Sequence, residues 1–164
     1  MGVWARADVR DAFEGLIVAH GDAAIGWKIG VASAASMAAA GIDAPLIGCL
    51  FQAGLLESGA ELDVSGWVDP RLEPEIAVYL KADVPAGASA EQASDAIAAI
   101  SLAFELVDLD GSLTDAPAML RGNVFQRGVI LGERVAAVAP PPVRVLIDGE
   151  THADIPDPIA AAAA

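Results

Sequence analysis

Three glutamates are the residues of this sequence whose types and spacing suggest chemistry. Glu73 and Glu75 lie in the segment Pro70–Leu80, and Glu105 lies in the segment Ser101–Asp108. Both segments are largely apolar, which is typical of strands. Because residues two apart in a strand point to the same face, Glu73 and Glu75 can converge on one point. Glu105 interrupts an apolar run, so we expect it to face inward.

Such a group of carboxylates has two interpretations. Ionised carboxylates near a core repel one another and lose hydration, so they persist only if paired, protonated or bound to a cation. A hard divalent ion with oxygen ligands is the simplest partner. Spacing alone instead favours an edge strand with Glu73 and Glu75 turned to solvent, because charged residues are mostly exposed.

Length and composition indicate one folded domain. The chain has 164 residues, of which 55% are hydrophobic, enough for a sizeable core. Its formal net charge of −14 disfavours nucleic acid, which needs a basic surface. The single cysteine, Cys49, cannot form an internal disulfide and fits a core thiol in a reducing compartment. With no long apolar run and no secretory signal at the N-terminus, we expect a cytoplasmic protein that binds no membrane.

The elements that must position these residues form a β-rich mixture without regular βαβ alternation. The predicted helices are Val9–His20, a segment capped by Ser33 that ends at Gly41, and Ser89–Ile100. The predicted strands are Ala24–Val31, a strand after Pro45, Ile76–Lys81, Leu102–Val107, Val124–Leu131 and Val143–Ile147. Residues 54–70 suggest short β elements, Asp108–Arg121 an irregular loop, and Asp148-Gly149 a turn.

An ordered set of motifs carries a family resemblance. The pieces are Gly26-Trp27-Lys28-Ile29-Gly30, then Gly41-Ile42-Asp43-Ala44-Pro45 with Gly48, then Arg71-Leu72-Glu73-Pro74-Glu75-Ile76-Ala77, then Glu105-Leu106-Val107-Asp108, and Asn123 ahead of Val129-Ile130-Leu131-Gly132. Together they resemble the fumarylacetoacetate hydrolase superfamily and, within it, the 2-keto-4-pentenoate hydratase branch. The match covers roughly residues 24 to 150, within the usual boundary error.

The resemblance implies an α+β, β-rich fold, a mixed β-roll with short flanking helices. It implies an N-terminal helical segment over residues 1–23, the hydratase- or hydrolase-like domain over 24–150, and a tail over 151–164. Family members continue well past the end of this chain. We therefore expect the roll to be incomplete at its C-terminus and the chain to act as a homo-oligomer or with a family paralogue.

The resemblance also assigns the candidate site. The metal ligands are Glu73, Glu75 and Glu105, the ion is Mg²⁺ or Mn²⁺, and the active-site lysine is Lys28. Without the family, Lys28 is a surface lysine on a strand, and the alternation lets it point either way.

Two further residues are candidates for substrate binding. Arg71 either clamps a substrate carboxylate or pairs with a neighbouring acid. Asn123 either binds substrate or caps a turn.

The implied activity is that of a lyase, a metal-dependent hydratase of 2-hydroxy-2,4-dienoate or 2-oxo-4-enoate acids in aromatic-compound catabolism. The alternatives are a metal-dependent C–C hydrolase or decarboxylase of 2-oxo or 1,3-dioxo acids, and an inactive truncated subunit that supports an active paralogue. One departure weakens the hydratase: Leu46 stands where such hydratases often carry an acidic residue, and leucine cannot transfer a proton.

Overall fold

The computed structural model describes residues 2–20, 24–136 and 142–155. These residues form a sheet-rich α+β arrangement with short helices, as the sequence predicts. The helices are α1 (Ala7–His20), α2 (Ala34–Ala40), α3 (Ala90–Asp95) and α4 (Ala116–Arg121). The strands are β1 (Ala24–Gly30), β2 (Leu46–Phe51), β3 (Leu55–Leu56), β4 (Pro70–Leu80), β5 (Ile97–Asp108), β6 (Gln126–Leu131), β7 (Val135–Ala136), β8 (Val143–Ile147) and β9 (Glu150–Ile155). Single 3-10 turns lie at Val3–Ala5, Gln52–Gly54 and Asn123–Phe125.

Local signals set the ends of the helices that the sequence predicts correctly. The Ser33 side chain accepts a hydrogen bond from Ser36 N at 3.0 Å and so begins α2. Gly41 ends α2 in the left-handed conformation, with φ of 65°. In α1, Val9, Ala12 and Leu16 are buried, at the spacing of one helix face.

Three predicted elements need correction. Helix α3 begins with the expected Ser89 cap but ends at Asp95, because the apolar run from Ile97 onward pairs as strand β5 instead. The predicted loop Asp108–Arg121 contains α4, which begins where the Asp115 side chain accepts from Ala118 N at 3.0 Å. Strand β6 begins at Gln126 rather than at Val124, because the three residues before it have positive φ.

The segment after the predicted Asp148-Gly149 turn also differs from expectation. Glu150–Ile155, for which no strand is predicted, pairs antiparallel with β8. The turn itself is confirmed: Asp148 and Gly149 have φ of 51° and 83°, as a two-residue hairpin requires. Of the segments 1–23 and 151–164 that the sequence sets apart, residues 1, 21–23 and 156–164 lie outside the described residues.

The chain divides into two compact units, and β4, β5 and β6 contribute residues to both. The first unit takes the described residues up to Glu73 together with Glu105–Val129. In it β1 and β2 form an antiparallel pair, and α1 packs against α4. Its main core consists of buried apolar side chains from the first 3-10 turn, from α1, α2, β2, β5 and α4 and from the turn after α4: Val3, Val9, Ala12, Ala40, Leu46, Val107, Ala116, Met119, Leu120, Val124 and Phe125.

The second unit takes Pro74–Phe104 and the described residues from Ile130 onward. Within it β7 pairs antiparallel with the start of β5, and β8 pairs with β9. The hydroxyl groups of Tyr79 and the buried Ser101 are hydrogen-bonded at 3.2 Å, and the Arg134 guanidinium lies 3.9 Å above the Tyr79 ring.

The strands of the larger sheet are hydrogen-bonded in the order β3-β6-β5-β4. Among the described residues, no helix has the length and apolar character needed to cross a bilayer.

Candidate functional site

Lys28 lies on β1 and points into the first unit. Its neighbours Trp27 and Ile29 are 60% and 70% exposed, whereas Lys28 is 9% exposed. Strand alternation therefore places the two apolar side chains in solvent and the lysine inside. Burial of an ammonium group requires a compensating charge or hydrogen bonds.

Glu105 supplies that charge. The Lys28 ammonium donates to Glu105 Oε1, and it also donates to the Val124 carbonyl oxygen at 3.1 Å. The Lys28 and Glu105 side chains are each 8% exposed. On β5, Ala103 and Val107, which share the face of Glu105, are also buried; on the opposite face Phe104 is 39% exposed and Leu106 is buried. The inward orientation predicted for Glu105 is confirmed.

The structure brings the three predicted glutamates together. One carboxylate oxygen from each of Glu73, Glu75 and Glu105 lies within 4.8 Å of the others, with Glu75 exposed and Glu105 buried. Oxygens on opposite sides of one ion are separated by about 4.2 Å around Mg²⁺ and by about 4.6–5.2 Å around Ca²⁺, from the usual ligand distances. The donor set, which consists of hard carboxylate oxygens, and its spacing therefore fit a divalent ion of this type.

The charge of this group fits the same conclusion. The three carboxylates and the Lys28 ammonium sum to a formal charge of −2. A divalent cation is compatible with a group of this charge.

The carboxamide of Asn123 is buried and fully engaged with the chain. Its Nδ2 donates to the Cys49 carbonyl and to Gln126 Oε1 at 2.8 and 3.1 Å, and its Oδ1 accepts from Cys49 N at 2.8 Å. It therefore anchors the turn after α4 to β2. The predicted contact of Asn123 with a substrate stays a prediction, one that would require these bonds to be exchanged.

Arg71 lies on the surface at the start of β4. Its guanidinium donates to Asp69 at 2.8 Å, and the two side chains are 56% and 41% exposed. Of the two roles open to Arg71, the described contacts include the pairing with a neighbouring acid. Exposed pairs of this kind contribute little to stability, so Arg71 can be released to another anion.

The turn that precedes β2 has a structural role in this chain. Asp43 accepts a hydrogen bond from Val3 N at 2.7 Å, and the Trp4 indole donates to the Pro45 carbonyl at 2.8 Å. Leu46, at the position of the hydratase acid, is completely buried in the core of the first unit. In this chain Leu46 therefore packs the core, and it has no group that could transfer a proton.

Sequence reasoning missed the close packing around Lys28. A Cβ on Gly48, the residue opposite Lys28 in the β1–β2 pair, would lie 2.9 Å from both Asn123 Oδ1 and Lys28 Cγ. The Val124 carbonyl was also missed, because a main-chain acceptor leaves no mark in a sequence. Gly48 was the available signal, since it belongs to the motif that begins at Gly41.

Comparisons with known proteins identify relatives of this chain. No family model matches it. It is 34% identical over 132 residues to a 4-oxalocrotonate decarboxylase from a Pseudomonas species, a match that covers 76% of this chain and 52% of that protein. It is 29% identical over 132 residues to a 4-oxalocrotonate decarboxylase from Pseudomonas putida, covering 77% of this chain and 49% of that protein. The chain thus spans about half the length of these curated relatives.

Solved structures agree with these matches. Two structures of 4-oxalocrotonate decarboxylase from Pseudomonas putida G7, one complexed with calcium and acetate and one with magnesium and adipate, superpose with TM-scores of 0.66 and 0.68. Their sequence identities are 26% and 25%, and each match covers 78% of this chain and 52% of that chain. The family inferred from the motifs is confirmed: the chain belongs to the fumarylacetoacetate hydrolase superfamily, in its 2-keto-4-pentenoate hydratase-like branch.

Proposed function

We propose that this chain carries the metal site of a divalent-metal-dependent enzyme of small-acid catabolism, and that the reaction is decarboxylation of a 2-oxo dicarboxylic acid. The observation that carries the proposal is the convergence of Glu73, Glu75 and Glu105 within 4.8 Å. We assign these carboxylates as ligands of Mg²⁺ or Mn²⁺. When bound, the ion supplies Lewis-acid stabilisation of negative charge that develops on the 2-oxo oxygen of a substrate.

Lys28 has the second role. Its ammonium group is fixed by Glu105 and the Val124 carbonyl, beside the carboxylates. An ammonium held there either pairs with a substrate carboxylate or donates a proton to the product. The substrate in this proposal has an alkene conjugated with its 2-oxo group. In the decarboxylation, the C–C bond to the leaving carboxylate breaks, and the electron pair of that bond moves through the alkene to the 2-oxo oxygen. CO₂ leaves, and the remaining anion takes up a proton.

Leu46 favours decarboxylation over hydration. Hydration adds water across an alkene and needs an acid or base near it, whereas loss of CO₂ needs only an electron acceptor and a later proton. Leu46 is fully buried at the place of the hydratase acid. The names of the two curated relatives point the same way, since both are decarboxylases. The hydratase activity expected from the motifs stays the second candidate, supported by the Glu73 and Glu75 pair that both reactions need.

The remaining expectations are part of this proposal. The fold is the β-roll of the superfamily, built mainly from residues 24–150. Arg71 is a substrate-carboxylate ligand once it leaves Asp69. The acting form is a homo-oligomer or an assembly with a family paralogue, for which solution mass is the measurement.

The test compares two substrates with the same protein. With 2-oxohex-3-enedioate and Mg²⁺, we expect CO₂ release that disappears on chelation with EDTA. With 2-hydroxypenta-2,4-dienoate, we expect no loss of the dienoate absorbance. Folded, metal-binding protein that hydrates the dienoate and releases no CO₂ would reverse the order of the two candidates. Folded protein that binds no divalent ion would overturn the proposal as a whole.

A further inference from the structure

Three consecutive residues beside Lys28 have a backbone conformation that is rare for their types. Asn123, Val124 and Phe125 have φ of 54°, 50° and 67°, and we call them the left-handed turn. Asparagine tolerates this region, but a β-branched valine there is a genuine outlier. Such strain persists only where the surroundings enforce it, and it clusters at functional sites.

The surroundings that enforce the turn are identifiable. The Asn123 carboxamide oxygen accepts a hydrogen bond from the main-chain N–H of Cys49, and its nitrogen donates to the Cys49 carbonyl. This pair of bonds is satisfied by only one of the two orientations of the amide. The Val124 and Phe125 side chains are buried in the main core. The turn is thus held by β2 on one side and by apolar packing on the other.

The left-handed turn acts directly on Lys28. It directs the Val124 carbonyl at the Lys28 ammonium, 3.1 Å away. The stem of Lys28 and the Asn123 amide approach each other over Gly48, where a Cβ would lie 2.9 Å from each. Lys28 therefore has two fixed acceptors, one on Glu105 and one on the turn.

We propose that Asn123 is a positioning residue that fixes the Lys28 ammonium through the left-handed turn. Its carboxamide locks the turn to β2, and the turn presents the Val124 carbonyl that orients Lys28. The relevance to catalysis rests on the proposed function, in which Lys28 faces the substrate. The placement of Lys28 itself is a property of the folded chain, whether or not the chain turns over a substrate.

The sequence offers a direct measurement. Its two lysines are Lys28 and Lys81, and Lys81 is exposed. With ¹³Cε-labelled lysine, NMR relaxation reports two signals, assigned through Lys81→Arg. We expect the Lys28 signal to show a restricted side chain and the Lys81 signal a mobile one. The test variant is Asn123→Gly, which removes the carboxamide while glycine keeps the positive φ without strain.

The expected result is that Asn123→Gly lowers the order of the Lys28 side chain toward that of Lys81. The control is Val129→Ala, which destabilises the same unit from a buried position outside these contacts. It should lower the melting temperature and leave Lys28 ordered. If Asn123→Gly does not fold, Asn123→Asp replaces it, since it keeps the acceptor for Cys49 N and removes the donor to the Cys49 carbonyl. Unchanged order of Lys28 in a folded turn variant would overturn the proposal, even if turnover were lost.

Discussion

Lys28 and Glu105, 77 positions apart in the sequence, form an ion pair whose side chains are both 8% exposed. Glu105 therefore obtains a compensating charge from the chain itself, and its burial alone does not require a metal ion. Glu73 and Glu75 each place a carboxylate oxygen within 4.8 Å of one on Glu105, and the three together form the proposed ion site. In that site Glu105 would contact both the lysine and the ion.

The buried ion pair predicts an asymmetric effect of mutation. Lys28→Met removes one partner of a buried pair, which typically costs about 3–5 kcal/mol. The double variant Lys28→Met/Glu105→Leu should recover much of that loss, because no buried charge is left behind. Urea denaturation of both singles and the double gives the coupling energy. Arg6→Met, which breaks an exposed pair with Asp8, is the control and should change stability little. A Lys28→Met loss no larger than that of Arg6→Met would contradict the prediction.

The carboxylate group predicts metal-linked stabilisation. Mg²⁺ or Mn²⁺ should raise the melting temperature, with a gain of about 2.7 kcal/mol at a hundredfold excess over the dissociation constant. Glu75→Gln should abolish the rise, because it removes one ligand and one charge. Glu61→Gln removes an exposed acid elsewhere and should leave the rise intact. Folded protein that shows neither heat in isothermal titration nor a melting shift with either ion would exclude the site.

The role of Lys28 in turnover is separable from metal binding. Lys28→Met should reduce turnover by roughly 10²-fold or more, the usual scale for loss of a positioned acid–base group. Mg²⁺ binding should persist, because the three carboxylates remain. Steady-state kinetics at a temperature where the variant is folded, together with titration of the ion, make the comparison. Wild-type turnover in that variant would assign Lys28 to structure alone.

Close packing over Gly48 predicts a large effect of one methyl group. Gly48→Ala would place a Cβ 2.9 Å from both Asn123 Oδ1 and Lys28 Cγ, which forces one of them to move. Overpacking of this kind costs about 1–3 kcal/mol. Gly15→Ala on α1 is the control, since nothing lies within 4 Å of its added Cβ, and it should stabilise by about 0.5–1 kcal/mol. Equal melting temperatures for the two variants would show that the residues around Lys28 accommodate the added methyl group without loss of stability.

The buried thiol predicts a pH dependence. Burial raises the pKa of Cys49, so the folded state favours the neutral thiol. Its contribution to stability is complete below the pKa of an unfolded cysteine, about 8.5, and is lost as the pH rises through the higher folded value. The difference in stability between wild type and Cys49→Ala should therefore shrink above that pH. Denaturation at pH 7 to 10 measures it, and a difference that grew with pH would give the opposite sign.

Local chemistry explains what the sequence predicts well. The ends of α2 follow from Ser33 and Gly41 alone, because a cap and a left-handed terminus need no distant partner. The three glutamates could be selected because the motifs around them resemble those of a known family, whereas the spacing of Glu73 and Glu75 alone favours solvent-exposed side chains.

Features that depend on partners escaped prediction. The sequence could not decide which way Lys28 points, because alternation is symmetric until Glu105 supplies a buried partner. Strand β9 follows from its pairing with β8 rather than from its own pattern. The left-handed turn opposes the backbone preference of valine for negative φ. It could not be predicted, because the hydrogen bonds of Asn123 to Cys49 that hold it are contacts between residues distant in sequence.

The burial of Lys28 also determines how this chain reacts with amine-directed reagents. Of its two lysines, Lys81 is exposed and Lys28 is 9% exposed and ion-paired. An acylating label therefore reaches Lys81 readily and Lys28 only when the contacts of its ammonium with Glu105 and the Val124 carbonyl open. The ratio of the two modified peptides over time therefore measures the rate of that opening, and mass spectrometry can follow it without any substrate.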